Sequence, residues 1–555
     1  MKNIYKTVLL CFLTSASHLS ASFSQTAPPI EWQNSIGGSK DDYLKSMEQT
    51  ADGGYILGGY SRSGISGDKT ENSIDNIQQY DYWIVKTDSA GNIQWQNTIG
   101  GLKYDNLQSV KQTNDRGYIL GGSSNSFIYA DKTEKCKGGS DYWIVKTDSM
   151  GNIKWQKTIG GKNIDQLTAL QQTTDNGYIL GGYSISNVSG DKTEPSWNNS
   201  LDYWIVKIDS SGTLQWQKTL GGSGEDKLNA IQQTADGGYI LGGTSFSAVS
   251  GNKTVPNCNG TYLSRDYWIV KTDELGNIQW QKAIGGGFDD YLTGLKQTYD
   301  GGYILGGYSS SNIGCEKSEA AIVSGVIALP DYWIVKTDSL GNVLWDNTIG
   351  GTLYDFLTSI SPTSDHGYIM GGYSMSNISG DKTQNSQNNQ GIDTYDYWIV
   401  KTDSTGYVLW DKTIGGLRND FLTCILQTKD GGYMAGGYSN FHAGGDKTEG
   451  TNGKNDYWII KLAPDIPTFR TQHSFNIKIS NTPLSAQPQI IFNNTNQEKF
   501  LFILYDITGR VCGSISTMGN QIILNKDNKK PGVYLFNLVN EKTRERWNGK
   551  IVISN

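Results

Sequence analysis

Histidine is scarce in this chain of 555 residues, with four copies, one of them near the N-terminus. That leaves little material for a histidine-based metal centre. Charge is low as well. Asp, Glu, Lys and Arg make up 18% of the chain and the net charge is −7, so a basic face for nucleic acid is not expected. Cysteine is rare: Cys11 falls in an N-terminal apolar run, and the other five are scattered behind it. An odd, scattered set is no disulfide framework. The closest candidate pair is Cys258 and Cys315, in matching loops of adjacent repeats. Beyond the N-terminus no apolar run is long enough to span a bilayer.

What the chain does have is 68 Gly, 32 Tyr and 16 Trp, which excludes a disordered polymer and suits an all-β protein with many tight turns. The first residues read as an export signal. Lys2 and Lys6 precede an apolar core at 8–13, and Ser22-Phe23-Ser24 places small residues before a cut at Gln25. Residues 1–24 are therefore expected to be a signal peptide. Cys11 follows Leu10 inside the apolar core, which does not match a lipoprotein cut site.

Internal repetition dominates the rest. One unit reads Trp-Gln-Lys-Thr-Ile-Gly-Gly, Asp-x-Leu, Gln-Thr-x-Asp-Gly-Gly-Tyr-Ile-Leu-Gly-Gly-Tyr-Ser, a variable loop with Gly-Asp-Lys-Thr, then Asp-Tyr-Trp-Ile-Val-Lys-Thr-Asp-Ser-x-Gly-Asn. The first Trp recurs at 32, 95, 155, 216, 280, 345 and 410, a spacing of 60 to 65 residues. Each unit breaks into four short strands, called a, b, c and d here, around 46–50, 55–61, 82–87 and 93–99 in the first copy. The a–b turn always ends in Gly, from Gly54 to Gly432, and a positive φ at that last position is the expected reason. The c–d turns are expected to use Gly91 and its counterparts in the same way. Strand a carries a small residue, Ser46 to Cys424, followed by an apolar one, Met47 to Ile425, as inner strands near an axis require. Cys424 reads as a small core residue, and the fourteen repeated Trp as framework.

The ends fit together. The Trp32 strand has no strand c before it, and Asp456-Tyr457-Trp458 has no strand d after it. Pairing them completes a seventh sheet and closes a ring. The expected fold is therefore all-β, a seven-bladed β-propeller over 25–462, then a linker at 463–474 and a small immunoglobulin-like β-sandwich at 475–555, where short apolar and polar runs alternate.

The repeat resembles the SBBP type of bacterial β-propeller repeat, over roughly residues 30–462. That resemblance implies architecture and no single chemistry. The tail resembles a type IX secretion C-terminal sorting domain, type A, in Leu504-Tyr505-Asp506-Ile507-Thr508-Gly509-Arg510, Pro531-Gly532-Val533-Tyr534-Leu535 and Lys550-Ile551-Val552-Ile553. Its opening, Ser480-Asn481-Thr482-Pro483, departs from the Pro-Asn-Pro usual in that family. The resemblance implies type IX secretion machinery as a partner of 475–555, passage through the periplasm, and a secreted or outer-surface location.

No catalytic constellation, metal site or cofactor site stands out. The turn with Asp88, Gly91 and Trp95 resembles the Asp-box of sialidases with longer spacing, but Arg62, Arg116, Arg265 and Arg418 occupy unrelated repeat positions. Two polar sets recur on the face of the d–a and b–c loops. One is Asp42, Asp105, Asp165, Asp226, Asp290, Asp355 and Asp420; the other is the Asp-Lys of Gly-Asp-Lys-Thr, such as Asp68-Lys69. Identity in every copy favours loop bracing over a ring of cation or glycan sites. Recognition is expected where copies differ, in the b–c loops, with Tyr129, Trp197 and Tyr262 as candidate ligand contacts, beside Phe127 and the apolar run 320–329. The sequence-level reading is a non-enzymatic binding module for a glycan or protein. A polysaccharide-acting enzyme on a propeller scaffold is the alternative.

Overall fold

The computed structural model describes residues 26–74, 79–258, 264–323, 328–387, 394–440 and 443–465, and in the tail 478–480, 489–492, 494, 497–506, 511–524, 529–540 and 546–553. The expected signal segment, Tyr262, His442, His473 and most of the expected linker lie outside the described residues. The chain divides into two compact units, Met1–Pro467 and Thr468–Asn555.

The first unit is a β-propeller of four-stranded antiparallel sheets. In the first sheet the strands are Asp42–Gln49, Tyr55–Ser61, Asp81–Thr87 and Ile93–Ile99, in that order. Five further sheets, numbered 2 to 6 here, repeat it along the chain. In sheet 7, Asp420–Gln427, Tyr433–Ser439 and Asp456–Leu462 take Ile30–Ile36 as their fourth strand, with Ser35 opposite Trp458. Each strand a lies beside the next, and the first lies beside that of sheet 7, so the ring closes.

The Asp-Tyr-Trp motif of strand c explains how sheets adhere. Tyr82 is fully buried, packs at a tilt with its ring 4.7 Å from that of Trp143 in the next sheet, and donates its hydroxyl to the Trp143 carbonyl at 3.0 Å. The same contact recurs at every interface, including closure, where Tyr457 donates to the Trp83 carbonyl at 3.1 Å. A Tyr is apolar enough to fill the interface and polar enough to satisfy a carbonyl there. The strand-c Trp residues are fully buried, each worth up to about 4–6 kcal/mol by area. The strand-d Trp residues, on the outer edge, are only half-buried, except Trp410, whose indole N–H donates to Asp465 at 2.9 Å. Asp465 therefore stays with the first unit, and so does Ala463, which donates to the Pro29 carbonyl.

The a–b turn corrects one expectation. Positive φ sits at the variable middle residue, as in Gly53 (88°), Arg116 (64°), Asn176 (64°) and His366 (65°), and not at the invariant last glycine. Gly54 is required for another reason: a Cβ there would lie 2.2 Å from the Thr87 carbonyl oxygen. That carbonyl also accepts from Lys86, which spans strand c to pair with turn residue Asp52 at 3.0 Å. The c–d turn follows expectation, with Gly91 at φ 85°. We expect Gly54→Ala to cost ~2 kcal/mol or more, against less than about 0.5 kcal/mol for Gly53→Asn. Urea midpoints of the two variants compare these costs directly, and equal losses would contradict the close-approach argument.

The second unit has two antiparallel sheets. One joins Lys478–Ser480, Gln489–Ile491 and Gln521–Ile523; the other orders Val511–Thr517, Phe500–Asp506, Gly532–Asn540 and Arg546–Ile553. Ile490, Phe492 and Ile522 from the first meet Phe502, Phe536 and Leu538 from the second in one core.

Candidate functional site

The repeated polar residues are placed as braces. Asp42 is buried, and its Oδ2 accepts from the Gly38 N–H at 2.7 Å and from the Ser63 hydroxyl at 3.1 Å, tying the d–a loop to the start of the b–c loop. Asp105, Asp165, Asp226, Asp290 and Asp355 do the same, and Asp420 accepts from the Gly416 N–H at 2.6 Å. Lys69 is buried under its b–c loop, with Nζ 5.1 Å from the Trp83 ring and donating to Thr98. Its neighbour Asp68 accepts from the Gly37 N–H at 3.2 Å. In the c–d turn, Asp88 accepts from the N–H groups of Ala90 and Asn92 at 2.9 Å. These are local contacts within the loops, with the carboxylates as acceptors and the lysine as donor.

The b–c loops carry two of the three expected aromatic contacts in view. Tyr129 is 49% exposed and Trp197 is 44% exposed. Trp197 leans across to the next sheet, where its indole N–H donates to Asn252 at 2.8 Å and its ring covers Gly251. Among the described residues neither makes a ring contact with another aromatic side chain. Cys258 and Cys315 are disulfide-bonded, joining the b–c loops of sheets 4 and 5.

A concentrated surface lies closer to the axis. On the face of the b–c and d–a loops, the second residue of strand a and the penultimate residue of strand b rim the axial opening. In sheets 5, 6, 7 and 1 both are aromatic. The rings form one continuous arc. Tyr291 meets Tyr308 at 5.0 Å, Tyr308 meets Phe356 at 4.9 Å, and Phe356 meets Tyr373 at 5.3 Å. Tyr373 then meets Phe421 at 5.0 Å, Phe421 meets Tyr438 at 5.2 Å, and Tyr438 meets Tyr43 at 4.8 Å. Tyr60, Tyr80 and Tyr395 thicken it. All of these rings are half-buried. Burial holds the Tyr60 phenol up at about 12, so its hydroxyl stays a hydrogen-bond donor at neutral pH.

Sheets 2, 3 and 4 break the arc. Their rim positions are Asn106 and Ser123, Gln166 and Tyr183, Lys227 and Thr244. Here a cavity of about 250 Å³ is lined by Gln166, Tyr183, Lys227, Thr244, Arg265 and Tyr291, among others. The rim carboxylates are all in ion pairs. Asp41 pairs with Arg62, Glu225 with Lys227 at 3.1 Å and Arg265 at 3.6 Å, and Asp289 with Arg265 at 3.5 Å. Among the described residues no group of three or more His, Cys, Asp or Glu is placed to hold a metal ion.

The rim was overlooked in the sequence because its residues hide at the x of Asp-x-Leu and next to the last Ser of strand b. Their signal was present: both positions are aromatic in four copies, and at least one is polar in each of the others.

No family model matches the chain. Regulatory protein FlaEY of Caulobacter vibrioides is 23% identical over 414 residues, which is 69% of this chain and 41% of that protein. An uncharacterized WD repeat-containing protein of Acanthamoeba polyphaga mimivirus is 24% identical over 348 residues, 49% of this chain and 24% of its own length. The chain thus spans less than half the length of either relative. Among solved structures, Sqt1 of Chaetomium thermophilum is similar at a TM-score of 0.38 with 11% identity, covering 78% of this chain and 99% of that one. A Synechocystis apocarotenoid oxygenase mutant is similar at 0.36 with 12% identity, covering 80% and 96%.

Proposed function

We propose that this chain is an exported seven-bladed β-propeller that binds a glycan, without transforming it, at the aromatic rim of its axial opening. The observation that carries the reading is the arc from Tyr291 to Tyr43, interrupted on one side by polar residues. Sugar rings have one apolar face and a polar perimeter, so a curved aromatic surface with phenol donors and a polar gap complements them. Every rim carboxylate is neutralised by a cation, which does not suit a general acid or base awaiting a substrate. The disulfide between b–c loops fits an oxidising compartment, consistent with export. The two-sheet tail fits an immunoglobulin-like sandwich, and we assign it the role of a type IX sorting domain that engages the secretion machinery. Among the described residues no helix is long and apolar enough to cross a membrane.

A glycan array probed with the mature chain, followed by titration calorimetry on the hits, tests this. Losing one stacked ring is worth about 0.5–1.5 kcal/mol beyond its area. Tyr308→Ala with Phe421→Ala is therefore expected to weaken binding about tenfold or more. Arg116→Asn and His366→Asn, in a–b turns on the opposite face, should leave affinity unchanged. An array without hits, or hits indifferent to the rim pair, would refute the proposal.

A further inference from the structure

We propose that the axial channel beneath the rim is an anion site that takes the carboxylate or sulfate group of an acidic glycan, an inference that rests on the rim being the binding surface. Its basis is a break in the lacing of the inner strands.

After the Leu of Asp-x-Leu, a side chain normally reaches the next inner strand. Thr168 donates to the Leu228 carbonyl at 2.7 Å, Thr358 to Leu422 at 2.8 Å, and Thr423 to Leu44 at 3.1 Å across the closure. In sheet 1 this residue is Lys45. Among the described residues it has no hydrogen-bond or carboxylate partner, and its Nζ hangs 5.5 Å from the Tyr60 ring and 5.8 Å from the Tyr438 ring.

Three residues along, the lacing runs the other way. Glu48, Gln171 and Gln232 accept from the N–H groups of Gln112, Gln233 and Gln297 on the next strand at 2.6 to 2.9 Å. In sheet 5 the residue is Lys296, beside a neighbouring strand whose matching residue, Pro362, has no N–H to offer. In sheet 2 it is Lys111. Among the described residues neither lysine has a hydrogen-bond or ion-pair partner. On the inner strands Lys111 and Lys296 each follow a buried residue, Val110 or Leu295, and are themselves half-buried and exposed respectively, so both face the axis rather than the sheet interfaces. The surrounding protein, and then Lys111, pull the Lys296 ammonium down to about 8 while Glu48 acts the other way, although the side chain is open to solvent. Burial also pulls Lys45 below the usual lysine range.

Three ammonium groups thus face the channel against one carboxylate, Glu48. The rim acids Asp41, Glu225 and Asp289 are already paired. Like charges gathered along one channel repel, and an anion entering it replaces that repulsion with attraction. A sugar seated on the arc that carries an acidic group places that group over Lys45.

The sister repeats supply the test variants: Lys45→Thr, Lys111→Gln and Lys296→Gln copy residues that the same positions already hold elsewhere in the ring. Two probes are used on the full mature chain. The first is inorganic sulfate against chloride at equal ionic strength. Sulfate stabilises most proteins by exclusion, so the readout is the difference in melting-temperature shift between parent and triple variant. The expected result is a larger shift in the parent, and equal shifts overturn the anion site. The second probe is oligogalacturonate against its methyl ester by calorimetry. The acid is expected to bind about tenfold tighter, an advantage of about 1.4 kcal/mol that the triple variant loses. Equal affinity of acid and ester, with both still dependent on Tyr308, overturns the acidic ligand and leaves the neutral rim reading standing. A sulfate effect without sugar binding keeps the anion site and removes the glycan as its source.

Discussion

Removal of residues 25–38 is expected to abolish cooperative unfolding of the propeller. Ile30–Ile36 is the outer strand of sheet 7, paired along its length with Asp456–Leu462. Without it the backbone groups on one edge of strand c lose their partners, and an open edge invites pairing with another chain. The side-chain losses fall in the same place. Ile36 is buried in the core that also holds Met47, Trp83 and Tyr457, so it bridges sheets 7 and 1. Gln33 accepts from the Trp458 indole at 3.0 Å, and Gly38 supplies an N–H to Asp42. Both acceptor and donor losses leave buried polar groups unsatisfied, at ~1–3 kcal/mol each. The ring relies on seven equal interfaces, so weakening one destabilises both neighbours. The expected product aggregates or melts over a broad range by circular dichroism. A control lacking only 25–28 keeps the strand, and Pro29 with its bond to Ala463, and should melt like the parent. If the longer deletion also melts like the parent, the closing strand does not hold the ring.

That strand was legible because its evidence was an imbalance. A strand d without a strand c at one end and the reverse at the other have one economical solution. Asp-Tyr-Trp was legible as framework for the same reason, recurring wherever an interface recurs. The a–b turn was misread for a physical reason. A glycine answers two different demands, positive φ and close approach, and an invariant Gly54 does not say which. The informative position was its neighbour, where Gly alternates with Asn176, Arg116 and His366, residues found with φ near 64°. The rim was not legible as a site from any single repeat. Phe356 acquires meaning only when the ring sets it 4.9 Å from Tyr308, which lies 48 residues earlier on another sheet. The b–c loops drew attention by their length, yet the structure leaves Tyr129 and Trp197 apart. The unpartnered lysines required the whole lacing pattern before their lack of partners could be seen.

The propeller is expected to lose stability as pH rises from 5 to 8, against the usual direction for paired acids. The cause lies between sheets. The first residue of strand c and the first residue of the following strand a are both Asp, and they face each other across the Gly-Gly of the d–a loop. A Cβ on Gly285 would lie 2.5 Å from Asp266 and 2.9 Å from Asp290. All of these carboxylates are buried, and Asp331 keeps one oxygen, Oδ1, without a hydrogen bond. Burial pushes Asp331 up to about 8, with the facing Asp355 adding to it. Burial likewise raises Asp202 and Asp396 to about 8, and Asp266 and Asp456 to about 7. A carboxyl raised in the folded state is protonated there while the unfolded chain ionises above ~4, so its stabilisation is complete below ~4 and is lost as pH climbs through 7 to 8. Lys69 and its counterparts, lowered by burial to about 8, change charge mainly above this window and contribute little slope within it. A melting temperature lower at pH 8 than at pH 5 by ~5 °C or more is expected by calorimetry. Asp331→Asn keeps an oxygen to accept from the Ile322 N–H and removes the titration, so it should flatten part of the slope. A melting temperature that is constant or rises over this range would mean that the facing aspartates stay ionised and find their counter-charge in the buried lysines instead.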